Sequence, residues 1–296
     1  MNQNAQMPTV LNTSWHFRIP LPVWNWTIIS ALVVAVYWHV LVKLVTAWLE
    51  IPDYSHGVLV PFFACYLIWA KRKTLLRTKI EPTWSGILVV ALALGFLLVG
   101  EFGAELFLSR VSLIILCAGL VLAFGGWRLL KELRFALLVL LLAVPIPAIV
   151  FNQIALPLQS LASKLATALL HSMGVTALRL GNIIELPSMR LEVAEACSGI
   201  RSLVSLFTLT IFYGYFLEKT YLRRVALALA SIPIAIAANA VRIFGTGMCI
   251  QYWNAEEALG FFHQFSGWLM FLVSLGCLSI VHFAMRLIPI RGRSVS

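Results

Sequence analysis

Hydrophobic positions along the chain come in long unbroken runs, separated by short polar or charged stretches. A helix needs about 20 apolar residues to cross a bilayer, and most of these runs approach or exceed that length. Inside lipid every backbone N–H and C=O must be paired within its own segment. Helices satisfy that condition, whereas a barrel would need period-two alternation that these runs lack. The pattern predicts an all-α polytopic membrane protein with about eight transmembrane helices, at 26–48, 57–70, 84–100, 110–127, 134–151, 199–217, 223–243 and 263–286. The second is short and needs the preceding "YSHG" stretch or a thinned bilayer to cross.

Between the fifth and sixth runs lies a long stretch, 145–198, with patterns of its own. From Gln159 to His171 polar residues recur as Gln159/Ser160, Ser163/Lys164, Thr167 and His171, three or four apart. That spacing predicts an amphipathic helix lying at the interface or against the bundle. "NIIELPSMRLEVAEA" then alternates apolar and polar residues on both sides of Pro187-Ser188, which predicts a small β-hairpin leading straight into Cys197. No repeat, low-complexity tract or second soluble domain stands out.

Composition agrees with the pattern. The chain has 296 residues, 61% hydrophobic and only 11% charged. Soluble domains carry about a quarter charged residues, so a water-soluble fold is excluded. A formal net charge of +10 would suggest nucleic acid in a soluble protein. Here most Lys and Arg sit in short loops between apolar runs, where they set topology and meet anionic lipid, so no nucleic-acid partner is expected.

The loops orient the chain. Stretch 71–79, "KRKTLLRTK", carries five Lys and Arg, and stretches 128–134 and 218–224 carry three each. With Arg18, Arg286, Arg291 and Arg293 this makes fifteen on one side, against six on the other: Arg110, Lys164, Arg179, Arg190, Arg201 and Arg242. The excess predicts that both termini are cytoplasmic. The expected layout is a cytoplasmic segment 1–25, one integral-membrane domain 26–286 and a cytoplasmic tail 287–296. "EIPDYSHG", "EFGAELFLSR", 145–198 and 244–262 then face outward. The first apolar run is long enough to span, so no cleavable signal peptide is expected.

Five scattered cysteines show neither metal-ligand spacing nor a disulfide framework, and no metal or cofactor is predicted. Cys65, Cys117 and Cys277 read as small hydrophobes buried in apolar runs, and Cys249 has no evident acid or base beside it. Cys197, in "EACSGIRSL", differs. It precedes the sixth helix, whose N-terminal dipole, with Arg201 one turn inward, favours thiolate over thiol. Glu195 reads as a structural counter-ion for Arg201.

Arg242, in "AIAANAVRIF", falls at the outer end of the seventh span, with Asn239 three residues earlier on the same helical face. Taken alone it snorkels to the headgroups or stabilises a developing oxyanion. His263, in "GFFHQFSGW", opens the eighth span. The sixth helix enters the membrane after Cys197, the seventh returns with Arg242, and a short outer loop brings His263 to the same level. A thiol, an imidazole and a guanidinium at one depth are what nucleophilic acyl transfer requires. His56, in "DYSHGVLVP", lies on the same face and either orients substrate or caps the short second span.

Taken together, "DYSHGVLVP", the "VPIP" turn at 144–147, "ELPSMRLEVAEACSGIRSL", "ANAVRI" and the histidine before the last span resemble the exosortase/archaeosortase family of integral-membrane cysteine transpeptidases. The resemblance covers most of the chain, and "ACSGIRS" and "NAVRI" are its specific parts. It implies cleavage of a C-terminal sorting tail from exported proteins: a Pro-Glu-Pro type motif, a membrane segment and a basic end. Cleavage would pass through a thioester, with transfer to a cell-surface acceptor of unknown identity. The family's Cys, Arg and His map onto Cys197, Arg242 and His263. The Pro-Glu-Pro version belongs to Gram-negative bacteria that make extracellular polysaccharide, which implies the inner membrane with the site facing the periplasm. Some bacterial members carry a C-terminal soluble domain, whereas this chain ends at Ser296; a separate partner protein supplies that part or it is dispensable.

Such a tail would diffuse laterally to the bundle and present its motif at the outer interface, where the 180–194 hairpin could pair with an extended peptide. Glu185, Glu192 and Arg190 are candidates to contact its charged side chains. Two rivals stand beside this reading: a non-catalytic transporter or subunit of a polysaccharide export machine, and an acyltransferase acting on lipid or glycan. The first would need a polar midplane path, yet polarity here concentrates at the outer edge.

Overall fold

The structure, a computed structural model, describes residues 23–103, 106–193, 199–253 and 261–287, with the backbone alone at 23 and 261–264. Its helices are α1 (Val23–Val36), α2 (Trp38–Glu50), α3 (Leu59–Ala70), α4 (Arg72–Arg77), α5 (Trp84–Phe102), α6 (Leu106–Leu140), α7 (Ala148–Ser172), α8 (Ile200–Leu217), α9 (Tyr221–Tyr252) and α10 (Phe261–Leu287). Short 3-10 helices occupy Pro52–Val58 and Leu141–Ala143. Three strands, β1 (Leu178–Leu180), β2 (Ile183–Glu185) and β3 (Arg190–Glu192), form one antiparallel sheet in that order. The chain is an all-α polytopic membrane protein with one small sheet.

Among the described residues five helices are long and apolar enough to cross a bilayer, and six if α1 and α2, bent by 68° at their junction, count as one span. The expected eight differ from this for local reasons. The 57–70 run becomes the Pro52–Val58 3-10 helix and the twelve-residue α3. At 1.5 Å per residue α3 is about 18 Å long, short of a bilayer core of about 30 Å. The polar stretch 128–134, expected as a loop, is helical, and the break between the fourth and fifth runs falls instead at Gly126 within α6. The expected fifth run, 134–151, breaks instead at "VPIP", where prolines remove backbone donors. Stretch 71–79 is likewise not all loop, since α4 fills most of it.

The chain divides into two compact units, 1–41 with 65–141, and 42–64 with 142–296. In the first, α5 and α6 pack closely because Gly86 abuts the Ala123 backbone and Gly119 abuts Val90, small residues that let two helix backbones approach. α6 is broken at Gly126, whose φ of 81° and ψ of −178° suit only glycine. The Glu81 carbonyl lies where a β-carbon on Gly126 would sit, and the Glu81 N–H bonds Gly125 O at 3.2 Å.

The second unit carries the site. α9 packs against α7, α8 and α10. α7 turns part of its polar stripe inward: Gln159, Ser163 and Thr167 are buried, while Lys164 and His171 are exposed together with Leu161, Leu165 and Leu169. The hydroxyls are satisfied one turn back, Ser163 Oγ on Gln159 O at 2.6 Å and Thr167 Oγ1 on Ser163 O at 2.8 Å. Of the two expectations for this amphipathic helix, packing against the bundle is the one observed. The predicted hairpin is β2–β3. β1 joins it through Gly181, whose φ of 66° makes the turn. Ala162, Ala166 and Leu170 of α7, Ile184 and Leu191 of the sheet, and Ile243 and Ile250 of α9 share one buried core. Cys65 and Cys277, expected to be buried, are exposed: in a membrane helix an apolar run faces lipid as readily as it faces protein.

At the far ends of α8, α9 and α10 a buried charge cluster joins the three helices. Glu218, 5% exposed, accepts from His282 Nε2 at 2.7 Å and Arg286 Nε at 3.1 Å, with Arg223 at 3.7 Å. Tyr213 Oη lies 2.7 Å from His282 Nδ1. Arg224 Nε donates to Glu218 O at 2.7 Å and Arg286 Nη2 to Leu217 O at 2.8 Å, capping the last carbonyls of α8. Burial alone would raise the Glu218 pKa, but the bonds from His282 and Arg286 outweigh it and hold the carboxyl below its ordinary 4.5. A depressed folded-state pKa stabilises the fold in full above 4.5, and this is lost as pH falls through the lower folded value. Glu218→Gln should therefore cost about 3 kcal/mol at neutral pH, as for a broken buried pair. Detergent melting temperatures would check this, and the gap from wild type should shrink in acid.

Candidate active site at the junction of three helices

Two glycines assemble the site. Gly199 precedes α8 with φ of 73°, a left-handed conformation that glycine adopts without strain. A β-carbon there would stand 2.8 Å from Cγ and Nδ2 of Asn239. The first turn of α8 therefore rests directly on the Asn239 side chain of α9, and both backbone angle and space require glycine.

Arg242 lies on the same face of α9 as Asn239, three residues on; the two are 9% and 4% exposed. The sequence predicts Arg242 at the outer end of its span. The helix itself does not end there: α9 continues to Tyr252, ten residues further, about 15 Å of helix. The core formed by α7 and the sheet buries Ile243 and Ile250 of that extension and so sustains it. Arg242 is an interior arginine rather than one that snorkels from a helix end. Thr246 Oγ1 donates to Arg242 O at 3.0 Å.

The second glycine, Gly267, brings α10 to the same place. A β-carbon on it would lie 3.7 Å from Cζ of Arg242, so the guanidinium lies against the α10 backbone. Position 263 lies four residues earlier, on the same face of α10 and one turn nearer its start. His263 is thus placed by backbone alone. Cys197, with Glu195 and Ser198, lies outside the described residues.

Arg201 has a partner the sequence did not suggest. Its Nε donates to Asp53 Oδ1 at 2.7 Å, and Asp53 belongs to the 3-10 helix that packs on α8. The pair offsets the Arg201 charge. Asp53 stands three residues before His56 in "PDYSHG", and its carboxylate was the only available signal.

His56 ties the same segment down. Its Nε2 donates to Leu142 O at 3.1 Å; Trp48 Nε1 reaches Ala143 O at 2.7 Å and Tyr54 Oη reaches Ile146 O at 3.4 Å. Three bonds thus hold the 3-10 helix to residues 142–146, so "DYSHG" and "VPIP" are structural partners. Burial pushes the His56 pKa below 6.5, only partly offset by the Leu142 carbonyl and the Asp53 backbone, which keeps the ring neutral at neutral pH. Among the described residues no three His, Cys, Asp or Glu side chains gather as metal ligands.

Of the hairpin residues, Glu185 is engaged by Arg190, Nε to Oε1 at 2.7 Å, leaving Glu192 exposed and with no described partner. A family model described as transmembrane exosortase matches residues 48–280, which include every residue named in this site. No curated protein and no solved structure matches the chain.

Proposed function

The chain belongs to the transmembrane exosortase family, and from that premise we propose that it is a cysteine protease and transpeptidase acting on the C-terminal sorting tail of exported proteins. The observation that carries this reading is the pair of glycine contacts, Gly199 on Asn239 and Gly267 on Arg242. Covalent geometry keeps position 197 within about 7 Å of Gly199, measured between Cα atoms. One helical turn, about 6 Å, separates position 263 from Gly267. Both limits support placing the three chemical groups in one small region.

In this mechanism His263 takes the Cys197 proton, and the thiolate attacks the scissile carbonyl of the tail. Arg242, preorganised by burial and by its packing on Gly267, donates to the oxyanion as charge develops on it. The C–N bond breaks, the imidazolium protonates the leaving amine, and an acyl-thioester remains on Cys197. An acceptor nucleophile, deprotonated by His263, then attacks the thioester and restores the thiolate. The departing fragment carries the tail's membrane segment and basic end. The positive-inside asymmetry supports a bacterial inner-membrane location with the site facing the periplasm. The sorting motif is of the Pro-Glu-Pro type implied by the sequence resemblance.

The test is the intermediate itself. Purified protein, incubated with a membrane-anchored substrate and no added acceptor, should yield a hydroxylamine-labile acyl adduct that peptide mapping assigns to Cys197. An adduct elsewhere, or cleavage without one, would rule out the mechanism.

A further inference from the structure

The sheet beside the site has an edge that the acyl-transfer chemistry leaves unused. Along β2–β3, Leu186 N–H donates to Met189 O and Val193 N–H to Asn182 O, both at 2.9 Å, and Ile184 pairs with Leu191. An antiparallel ladder alternates, so the residues between these pairs, Arg190 and Glu192, turn their N–H and C=O away from β2. Among the described residues no strand pairs with that outer edge of β3. The strand is nevertheless firmly held: Leu191 and Val193 are buried in the core shared by α7 and α9, while the Arg190 side chain is 79% exposed.

We infer that the outer edge of β3 receives the substrate segment next to the scissile bond as a fourth, extended strand. The inference rests on the reading above that the substrate is a polypeptide. A helical segment buries its carbonyls in its own hydrogen bonds, so the scissile region must unwind to be attacked. At the rim of a bilayer, unwound backbone groups need partners. The outward groups of Arg190 and Glu192 supply two donors and two acceptors at the spacing of an extended chain. Position 197 follows Val193 by four residues, at most about 14 Å of extended chain, so a strand registered on β3 lies within a few residues of the nucleophile. Glu185, held by Arg190, stays on the β2 side; the exposed Glu192 carboxylate is left to read substrate charge.

The test uses full-length protein and a membrane-anchored peptide with the Pro-Glu-Pro motif, an apolar span and a basic end. Single N-methyl amides placed at successive positions before the cleaved bond delete one donor at a time. Strand addition predicts that kcat/KM falls about tenfold at alternate positions only. Glu192→Pro deletes one outward N–H without touching the β2 ladder, and an edge strand tolerates it. Measured against Glu192→Ala, which loses the same carboxylate but keeps the backbone donor, it should raise KM about tenfold, with kcat, melting temperature and alkylation of Cys197 by iodoacetamide unchanged. An N-methyl profile without period two overturns the inference even where Cys197-dependent cleavage stands. No Cys197-dependent cleavage of the unmodified peptide overturns the acyl-transfer reading, and this inference with it.

Discussion

Cys197→Ala is expected to abolish tail release, with a loss of about 10⁴-fold or more, the scale seen when an acyl-transfer enzyme loses its nucleophile. None of the four described thiols is expected to substitute. Cys65 and Cys277 sit on exposed faces of apolar helices, while Cys117 and Cys249 lie along α6 and α9. None is within two residues of the Gly199 turn, the backbone feature that ties this stretch to Asn239. The variant should keep its melting temperature in detergent and still bind the membrane-anchored substrate, separating lost chemistry from lost fold. Cys197→Ser, with a far less acidic hydroxyl, should be inactive on the same assay. Rates above about 1% of wild type in Cys197→Ala would reject thioester chemistry. Tail release that persists without the thiol would assign the cleavage to a different nucleophile.

Arg242→Lys should lower kcat about 10² to 10³-fold with little change in KM. That is the loss expected when a donor to a developing oxyanion is removed. Lysine keeps the charge but gives up the planar fork, and a buried ammonium sheds its proton more readily than a guanidinium. This substitution separates the two roles the sequence left open. An arginine that merely snorkels from a helix end is replaced by lysine at little cost, since both reach the headgroups. Arg242 is 9% exposed and ten residues from the end of α9, with its guanidinium against Gly267. Activity within threefold of wild type would show that the fork is not used in the transition state. Loss of melting temperature together with activity would assign Arg242 to the fold alone.

The helices were legible wherever an apolar run was bounded by charge. The expected span 199–217 is α8 almost to the residue, and 263–286 lies within α10. Legibility failed where length and polarity gave conflicting signals. Residues 128–134 carry three cations and read as a loop, but a charged stretch at the rim of a membrane can stay helical while its side chains reach water. α9 was cut at 243 because "GTGMCIQY" loses apolar character, yet those residues remain helical against α7 and the sheet. β1 offered too few residues for alternation to show.

By itself the sequence determined an all-helical membrane chain, a thiol just before α8, and a histidine and an arginine on the next two helices. Period, length and charge are local quantities, and each residue's neighbours along the chain suffice to set them. Tertiary structure alone decided that Gly199 rests on Asn239 and Gly267 on Arg242, that Asp53 answers Arg201 across 148 positions, and that Gln159, Ser163 and Thr167 of α7 turn inward. Those facts depend on which helix face meets which. A hydropathy pattern within lipid does not specify that, because in a membrane an apolar side chain is at home facing either a neighbour or the bilayer.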